Sequence, residues 1–249
     1  MLNLFWTEFL LIEQTKISAR PLHKIFTDVT PHYDLINRIF TWGMDKKWRL
    51  GAARECLAAR PQRILDLACG TGDLAINIAC LADSTLEITG FDFSGPMLQI
   101  ARAKAAAAGQ NITFDNGDAG NLPFANNYFD CVGISFAIRN LTYQHPNISR
   151  HLAEVRRVLK PGGKFVIVES SQPENRLIRL LGHLYISIFV YPIGWWLSGN
   201  KNAYNYLRVS ATNYYSAGEL KNLLLKNGFS KVDFQPLFFG AAAIHTAIK

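Results

Sequence analysis

The chain has little of several things, and each shortage narrows its chemistry. Its four cysteines, Cys56, Cys69, Cys80 and Cys131, form no Cys-x-x-Cys pair. That spacing speaks against a structural zinc site or a redox dithiol and fits small buried thiols in a reducing compartment, so no metal is expected. Basic residues come in scattered pairs such as Lys46/Lys47 and Arg156/Arg157 rather than in masses, which argues against nucleic acid as a partner. Internal repeats and low-complexity segments are missing. The longest uncharged apolar run, Leu184 to Leu197, is fourteen residues and contains Pro192 and Gly194. A spanning helix needs about twenty residues, so a transmembrane anchor is not expected and a buried helix is the plainest reading of this stretch. The apolar N-terminus, Met1 to Ile12, lacks a basic leading region and is broken by Glu8. A signal peptide is therefore not expected, and residues 1–20 read as a short extension.

What is present suffices for a full core. With 249 residues and 49% hydrophobic content, one α/β domain with additions is expected. A formal charge of +7 suits an anionic surface such as a membrane, and equally an ordinary basic enzyme. Residues 21–60 read as a helical cap, with Phe26, Tyr33, Leu35, Ile36, Ile39 and Phe40 near helical spacing. The same segment is dense in polar residues, including His32, Tyr33 and Asp34, which suggests a lid over a ligand.

From Arg63 the pattern alternates between strand and helix. Strands are expected over 63–67, 86–92, 111–114, 129–136 and 164–169, and helices over 73–82, 94–108 and 148–159. Ser94 is placed as an N-cap, and Lys160-Pro-Gly-Gly163 as a helix stop. An apolar helical insertion spans 175–200. Ser216 caps a helix that Asn227-Gly228 closes, and strands 231–234 and 241–248 complete the chain as an antiparallel hairpin. Such alternation implies parallel strands with helices on both faces.

The centre of the pattern is Arg63-Ile-Leu-Asp-Leu-Ala-Cys-Gly-Thr-Gly-Asp-Leu-Ala75, a buried strand running into the turn Gly70-Thr71-Gly72. Glycine lets a ligand lie against bare backbone. Gly70-x-Gly72-x-x-Ala75 with Asp92 twenty residues on also satisfies the dinucleotide fingerprint, so an NAD(P)-dependent oxidoreductase fits the turn alone. Asp66 favours another ligand. A carboxylate beside the turn would repel a pyrophosphate but attract the ammonium and sulfonium of S-adenosylmethionine. Asp92, with Phe93 beside it, would accept from the ribose hydroxyls. Asp118 would accept from the adenine amino group while the Ala119 backbone N–H faces a ring nitrogen. Acids after successive strands are where ligands of open α/β sheets bind.

The segments around this core resemble one family. Phe26-Thr-Asp-Val-Thr-Pro-His-Tyr-Asp34 with Asn37, Trp48-Arg49, Leu65 to Asp73, Gly90-Phe-Asp92, Leu122-Pro-Phe124, Ser135-Phe-Ala-Ile-Arg-Asn140 and Tyr204-Asn-Tyr-Leu207 with Ser210 are similar to the ubiquinone/menaquinone biosynthesis C-methyltransferases. The resemblance runs from about Phe26 to the C-terminus. The stretch 177–200 aligns poorly, and the first twenty residues have no counterpart. It implies a class I methyltransferase fold: a Rossmann-like, seven-stranded, mostly parallel sheet with an antiparallel C-terminal hairpin and an N-terminal helical cap. It also implies S-adenosylmethionine as cofactor, with Thr71, Asp92, Asp118, Ala119 and Ser135 at cofactor-binding positions.

By that resemblance the reaction is C-methylation of a prenylated quinol, with demethylmenaquinol ahead of the benzoquinol precursor of ubiquinone on the local Glu169-Ser-Ser-Gln-Pro173 sequence. Other apolar acceptors, and a non-catalytic subunit of the same fold, are the alternatives. Arg139 is expected to stabilise the phenolate or to act through a water, with Asn140 orienting it and His32, Tyr33 and Asp34 near the ring. A polyprenyl substrate places the enzyme in the cytoplasm at the inner face of the membrane, with Leu177 to Leu197 as the docking feature. A homodimer is compatible with the sequence.

Overall fold

The computed structural model describes residue 38, residues 41–198 and residues 201–249, without the side chains of 197, 198, 202, 203 and 206. His32, Tyr33, Asp34 and most of the expected cap lie outside the described residues.

Seven strands form one sheet: β1 (Arg63–Leu67), β2 (Glu87–Asp92), β3 (Thr113–Asn116), β4 (Phe129–Ser135), β5 (Leu159–Ser170), β6 (Lys231–Leu237) and β7 (Ala242–Ile248). Their order is β3-β2-β1-β4-β5-β7-β6. The first five are mutually parallel. β7 inserts between β5 and β6, antiparallel to both, with Lys164 opposite Ile248 and Lys231 opposite the same residue on the other side. The expected class I methyltransferase sheet and its terminal hairpin are therefore present.

Both faces are covered, as a parallel sheet requires. Leu65, Leu67, Val132, Ile134, Phe165 and Ile167 build one core with helices α5 (Ile148–Val158) and α9 (Ala217–Lys226). Ile64, Cys131, Val166 and Val168 build the other with α1 (Met44–Leu57) and α2 (Asp73–Leu81). Alternation along β1 sends Leu65 and Leu67 to the first face and Ile64 and Asp66 to the second. Helix α1 falls within the segment read as a cap, yet Ala52, Ala53 and Cys56 are fully buried in the second core; it is the first layer of the sheet packing.

Two local expectations change. Lys160-Pro-Gly-Gly163 is part of β5 rather than a break before it: Phe129 pairs with Leu159 and Cys131 with Lys164, so four residues stand opposite the single Asp130 and the three extra ones bulge out of the ladder. Gly162 has φ +73°, and a Cβ on Gly163 would come within 2.8 Å of the Lys160 carbonyl, so both glycines are required by the backbone. Ser94 sits at the N-cap of α3 (Gly95–Ala107) without capping it; its buried Oγ has no partner. By contrast, Ser216 and Glu219 form a full capping box on α9, and Gly228 closes that helix at φ +91°.

The apolar stretch differs most from expectation. Arg176–Tyr185 (α6), a π-helical turn Ile186–Val190 and Tyr191–Ser198 (α7) follow one another without a break. The π turn ends two residues before Pro192, whose missing N–H leaves a carbonyl of the preceding turn without its helical donor. The run Arg176–Trp196 is 21 residues, long and apolar enough by length and composition to cross a membrane, and only 11% of its most apolar window is buried. The fourteen-residue uncharged run therefore understated its length, and the buried-helix reading is wrong. Helix α8 (Lys201–Thr212) follows it.

Candidate functional site

The strand order reverses between β1 and β4, because the chain leaves β1 towards β2 on one side and returns to β4 on the other. Such a switch point opens a crevice at the carboxyl ends of the strands. A cavity partly open to solvent lies there, lined by residues that follow β1, β2, β3 and β4.

The glycine turn forms one wall. Gly70 (φ +54°) and Thr71 face the cavity. Gly72 does not line it: at φ +81° its missing Cβ leaves room for Ala101 at 3.0 Å and the Phe114 ring at 3.3 Å. The first glycine clears the ligand space, while the second lets α2 pack against α3.

Asp92 ends β2, is 5% exposed and lines the cavity with Phe93. Its Oδ2 accepts from the Gly70 N–H at 2.9 Å and its Oδ1 from the Ser94 N–H at 2.8 Å. The carboxylate thus ties the glycine turn to β2 while facing the ligand space.

Ala119 also lines the cavity, whereas Asp118 does not. Asp118 is exposed, and its Oδ1 accepts from the Gly120 N–H at 2.8 Å, which folds the loop around Ala119.

Asp66 departs from its expected role. It is 1% exposed, points into the second core and does not line the cavity. Its Oδ2 accepts from the Ala75 N–H at 2.9 Å, one of the free amides in the first turn of α2. Burial, the largest influence, raises its pKa to about 8; the Ala75 bond opposes the rise, and the Asp92 charge adds to it. A mostly protonated carboxyl holding a helix terminus exerts little pull on a cationic ligand, so the electrostatic argument from this residue fails.

Beyond β4, Phe136 takes a left-handed φ of +56° and turns the chain so that Ser135, Phe136, Ala137, Asn140 and Leu141 all face the cavity. Arg139, in the short helix α4 (Ile138–Thr142), does not. Residues 137, 140 and 141 share one face at helical spacing, and 139 falls on another. Arg139 is 8% exposed. Its backbone N–H donates to Glu169 Oε2 at 3.3 Å and its Nη1 donates to Ser170 Oγ at 2.9 Å, with Glu169 Oε1 at 3.9 Å. Its buried Nε has no partner. The cavity and the Arg139–Glu169 pair are thus adjacent but separate, joined through Asn140.

Two contributors escaped the sequence reading. Arg49 of α1 lines the cavity and is 6% exposed. Asp45 Oδ2 at 2.5 Å binds its Nη1, Ser135 Oγ at 3.0 Å accepts from its Nε, and the guanidinium stacks over Phe136 at 5.0 Å. Nη2 carries no hydrogen bond among the described residues. The available signal was a charged pair, Asp45 and Arg49, on the same stripe as the buried Ala52, Ala53 and Cys56. The second is Glu169, 1% exposed; like Asp92 it is an acid near the carboxyl end of a parallel strand.

The donor set fits S-adenosylmethionine better than a dinucleotide. The cavity wall carries the Asp92 carboxylate and, among the described residues, one cation, Arg49, which lies between Asp45 at 2.5 Å and the lining acid Asp73 at 3.7 Å, while most of its remaining surface is apolar. Gly72, the second glycine of the dinucleotide pattern, is occupied by helix packing instead of opening towards the ligand.

Comparison with known proteins agrees. The ubiE/COQ5 methyltransferase family matches residues 13–249, beginning inside the stretch that had no expected counterpart. A demethylmenaquinone methyltransferase of Thermus thermophilus is 40% identical over 221 residues, 89% of this chain and 98% of the relative. The ubiquinone/menaquinone biosynthesis C-methyltransferase UbiE of Geotalea daltonii is 36% identical over 230 residues, 92% and 96% of the two chains. Among solved structures, a SAM-dependent methyltransferase of Aquifex aeolicus aligns with TM-score 0.52 at 16% identity, covering 75% of this chain and 81% of its own. The [4+2]-cyclase SpnF aligns with TM-score 0.65 at 19% identity, covering 93% and 96%. A cyclase on the same scaffold shows that the fold alone does not fix the reaction. The sequence match does what the fold cannot: this chain belongs to the ubiE/COQ5 methyltransferase family.

Proposed function

We propose that this enzyme methylates a ring carbon of demethylmenaquinol with S-adenosylmethionine as methyl donor, in menaquinone biosynthesis. The observation that carries the reading is the switch-point cavity, with Asp92, Arg49 and Asn140 around one space, in a chain 40% identical to a demethylmenaquinone methyltransferase over nearly the whole of that relative.

Bound there, S-adenosylmethionine supplies an electrophilic methyl. The protein's own part is binding and orientation. Asp92 accepts from the ribose hydroxyls, each such charged hydrogen bond contributing roughly 1.5–3 kcal/mol. The Ala119 N–H and Asp118 stand at the adenine end, Thr71 and Ser135 line the middle, and the free Nη2 of Arg49 donates to the methionine carboxylate. On the acceptor side, Asn140 meets the quinol oxygen. The Arg139 guanidinium lies behind it and favours the phenolate, which is electron-rich at the ring carbon to be methylated. Its side chain is fixed by Glu169 and Ser170, so it needs no reorganisation during the reaction. Holding the carbon and methyl at about 3–3.5 Å removes much of the barrier. His32, Tyr33 and Asp34 belong to the segment that would cover the ring. The prenyl tail keeps the substrate in the bilayer, so the enzyme works at the membrane surface, docked through the apolar face of Arg176–Ser198.

The test is methyl transfer in detergent micelles, followed by mass spectrometry, with demethylmenaquinol and the prenylated benzoquinol precursor offered separately. Methylated naphthoquinol as the main product is expected. Turnover of the benzoquinol alone would overturn the choice of ring, and turnover of neither would overturn the function.

A further inference from the structure

The loop between β6 and β7 is built in an unusual way. Phe238 and Phe239 have φ of +43° and +56°, and Gly240 follows at +87°. Left-handed backbone costs an L-residue roughly 1–2 kcal/mol and suits glycine or asparagine, yet two consecutive phenylalanines take it. Neither ring earns a place in the core: they are 51% and 76% exposed and pack edge-on against each other with centroids 5.6 Å apart. The loop is tied down all the same. Ser171 Oγ donates to the Gly240 carbonyl at 2.7 Å, the Ser171 N–H to the Ala241 carbonyl at 2.9 Å, and Pro173 lies against Gly240.

The loop's position connects it to the exposed helix. β5 ends at Ser170 and β7 begins at Ala242 opposite it, so the Phe238–Phe239 tip stands on the carboxyl edge of the sheet, the edge on which the cavity opens. The segment Ser171–Asn175 that braces the tip leads directly into α6. Along α6 and the π turn, Leu177, Leu180, Leu181, Leu184 and Ile188 are 45–64% exposed at helical spacing, forming one outward stripe. The opposite flank is held by the protein: His183 Nε2 bonds Gln172 Oε1 at 2.7 Å, Trp42 Nε1 donates to the Tyr185 hydroxyl at 2.9 Å, Val190 is buried and Gly194 packs under Tyr204. A helix with one flank packed and one apolar stripe outward lies in an interface rather than across it. Between residues 171 and 218 the chain carries four cations, Arg176, Arg179, Lys201 and Arg208, against one acid, Glu174. Lys201 and Arg208 sit over the Trp195 and Tyr191 rings.

We infer that the Phe238–Phe239 tip is a second membrane anchor, which inserts beside the Arg176–Ser198 helix into an anionic bilayer and sets the cavity edge of the sheet against the lipid. This rests on the membrane-surface reading above and adds to it a defined orientation, in which the quinol ring reaches the cavity without its tail leaving the bilayer. Two anchors at separate points fix orientation as one helix cannot, and rigid, strained backbone keeps both rings outward in the free protein.

The test compares wild type, Phe238→Asn/Phe239→Gly and Leu180→Ser/Leu184→Ser on vesicles of phosphatidylglycerol and phosphatidylcholine, by co-sedimentation. The tip variant relieves the left-handed strain, so its Tm is expected to rise while vesicle affinity falls about tenfold, the loss of two buried rings being more than sufficient. Methylation of a naphthoquinol lacking the prenyl tail should be unchanged, and methylation of vesicle-embedded demethylmenaquinol should fall. Unchanged vesicle affinity of the tip variant, with loss only in the helix variant, would overturn the second anchor and leave the docking reading standing. No vesicle binding by wild type would overturn both. A wild-type dimer that the tip variant converts to monomer would instead assign the face to a second copy of this chain.

Discussion

The two halves of the sheet's carboxyl edge are built on opposite plans. On the β1–β2–β4 side, buried and half-buried groups hold one another through short hydrogen bonds: Asp92 ties Gly70 and Ser94, Asp66 ties Ala75, and Arg49 joins Asp45 to Ser135. The side around β5 and β7 holds the Arg139–Glu169 pair and the hydrogen bonds of Ser171, His183 and Thr142 beneath the surface, and outside them it presents an apolar face. On the proposed function, the first plan serves a soluble cofactor of fixed shape and the second an apolar substrate delivered from a bilayer. One half is dense in polar contacts, whereas the other leaves Trp196 83% and Phe239 76% exposed.

The largest effect that would separate the halves comes from Arg139, which belongs to the acceptor side alone if this division is right. Arg139→Ala is expected to lower turnover by about 10²–10³-fold, the usual consequence of removing a preorganised charge. S-adenosylhomocysteine affinity, by calorimetry, should stay near normal. Stability should also drop, because Glu169 is left buried without its cation, a loss of about 3–5 kcal/mol. Adding Glu169→Gln should restore much of the stability and none of the turnover. Full activity in that double variant would remove Arg139 from the reaction.

The two halves were also unequally legible in the sequence. The glycine turn, the acid ending β2 and the N-cap at Ser216 could be read because local rules fix them: backbone conformation, a strand end and a helix terminus each demand particular residues. What could not be read depended on direction or on cover. Arg139 and Asn140 are neighbours in sequence, but about 100° of helical rotation puts one in the cavity and the other against Glu169. Asp66 and Asp92 both belong to central strands, but only the second reaches the edge; the first is one residue too deep and faces α1 and α2. The apolar content of 177–197 was plain, yet composition does not say whether protein or lipid covers a helix. The helix does stop ahead of Lys160 to Gly163, at Val158, but the strand begins at Leu159 and absorbs those residues as a bulge.

A middle-sized effect tests whether Arg49 belongs to the cofactor side. It is the cation among the cavity's described lining residues. Arg49→Gln keeps much of the side chain's bulk and removes its charge. S-adenosylhomocysteine affinity is expected to fall about 10–100-fold, in line with roughly 1.5–3 kcal/mol for a hydrogen bond to a charged group. Methylthioadenosine, which lacks the amino-acid portion, should bind wild type and variant alike. Equal losses for both ligands would make Arg49 a structural partner of Asp45 and Ser135 only.

The smallest effect on binding is expected where the motif looked strongest. Asp66→Asn leaves an oxygen to accept from Ala75 and removes a charge that burial has already suppressed, so S-adenosylhomocysteine affinity at neutral pH should scarcely move. A large loss would reinstate this carboxylate as an electrostatic anchor for the cofactor. Stability gives the complementary sign. In the native state the carboxyl titrates near 8 instead of 3.8, so between those values the folded chain holds a proton that the unfolded chain has released. Stability therefore declines with rising pH across that window and levels off above it. Urea unfolding of wild type at pH 5 and pH 8 should show this decline over and above that of Asp66→Asn, which carries no such proton. Parallel curves for the two proteins would mean that Asp66 ionises normally beneath the glycine turn, and the division between a charged ligand wall and a neutral brace behind it would fail.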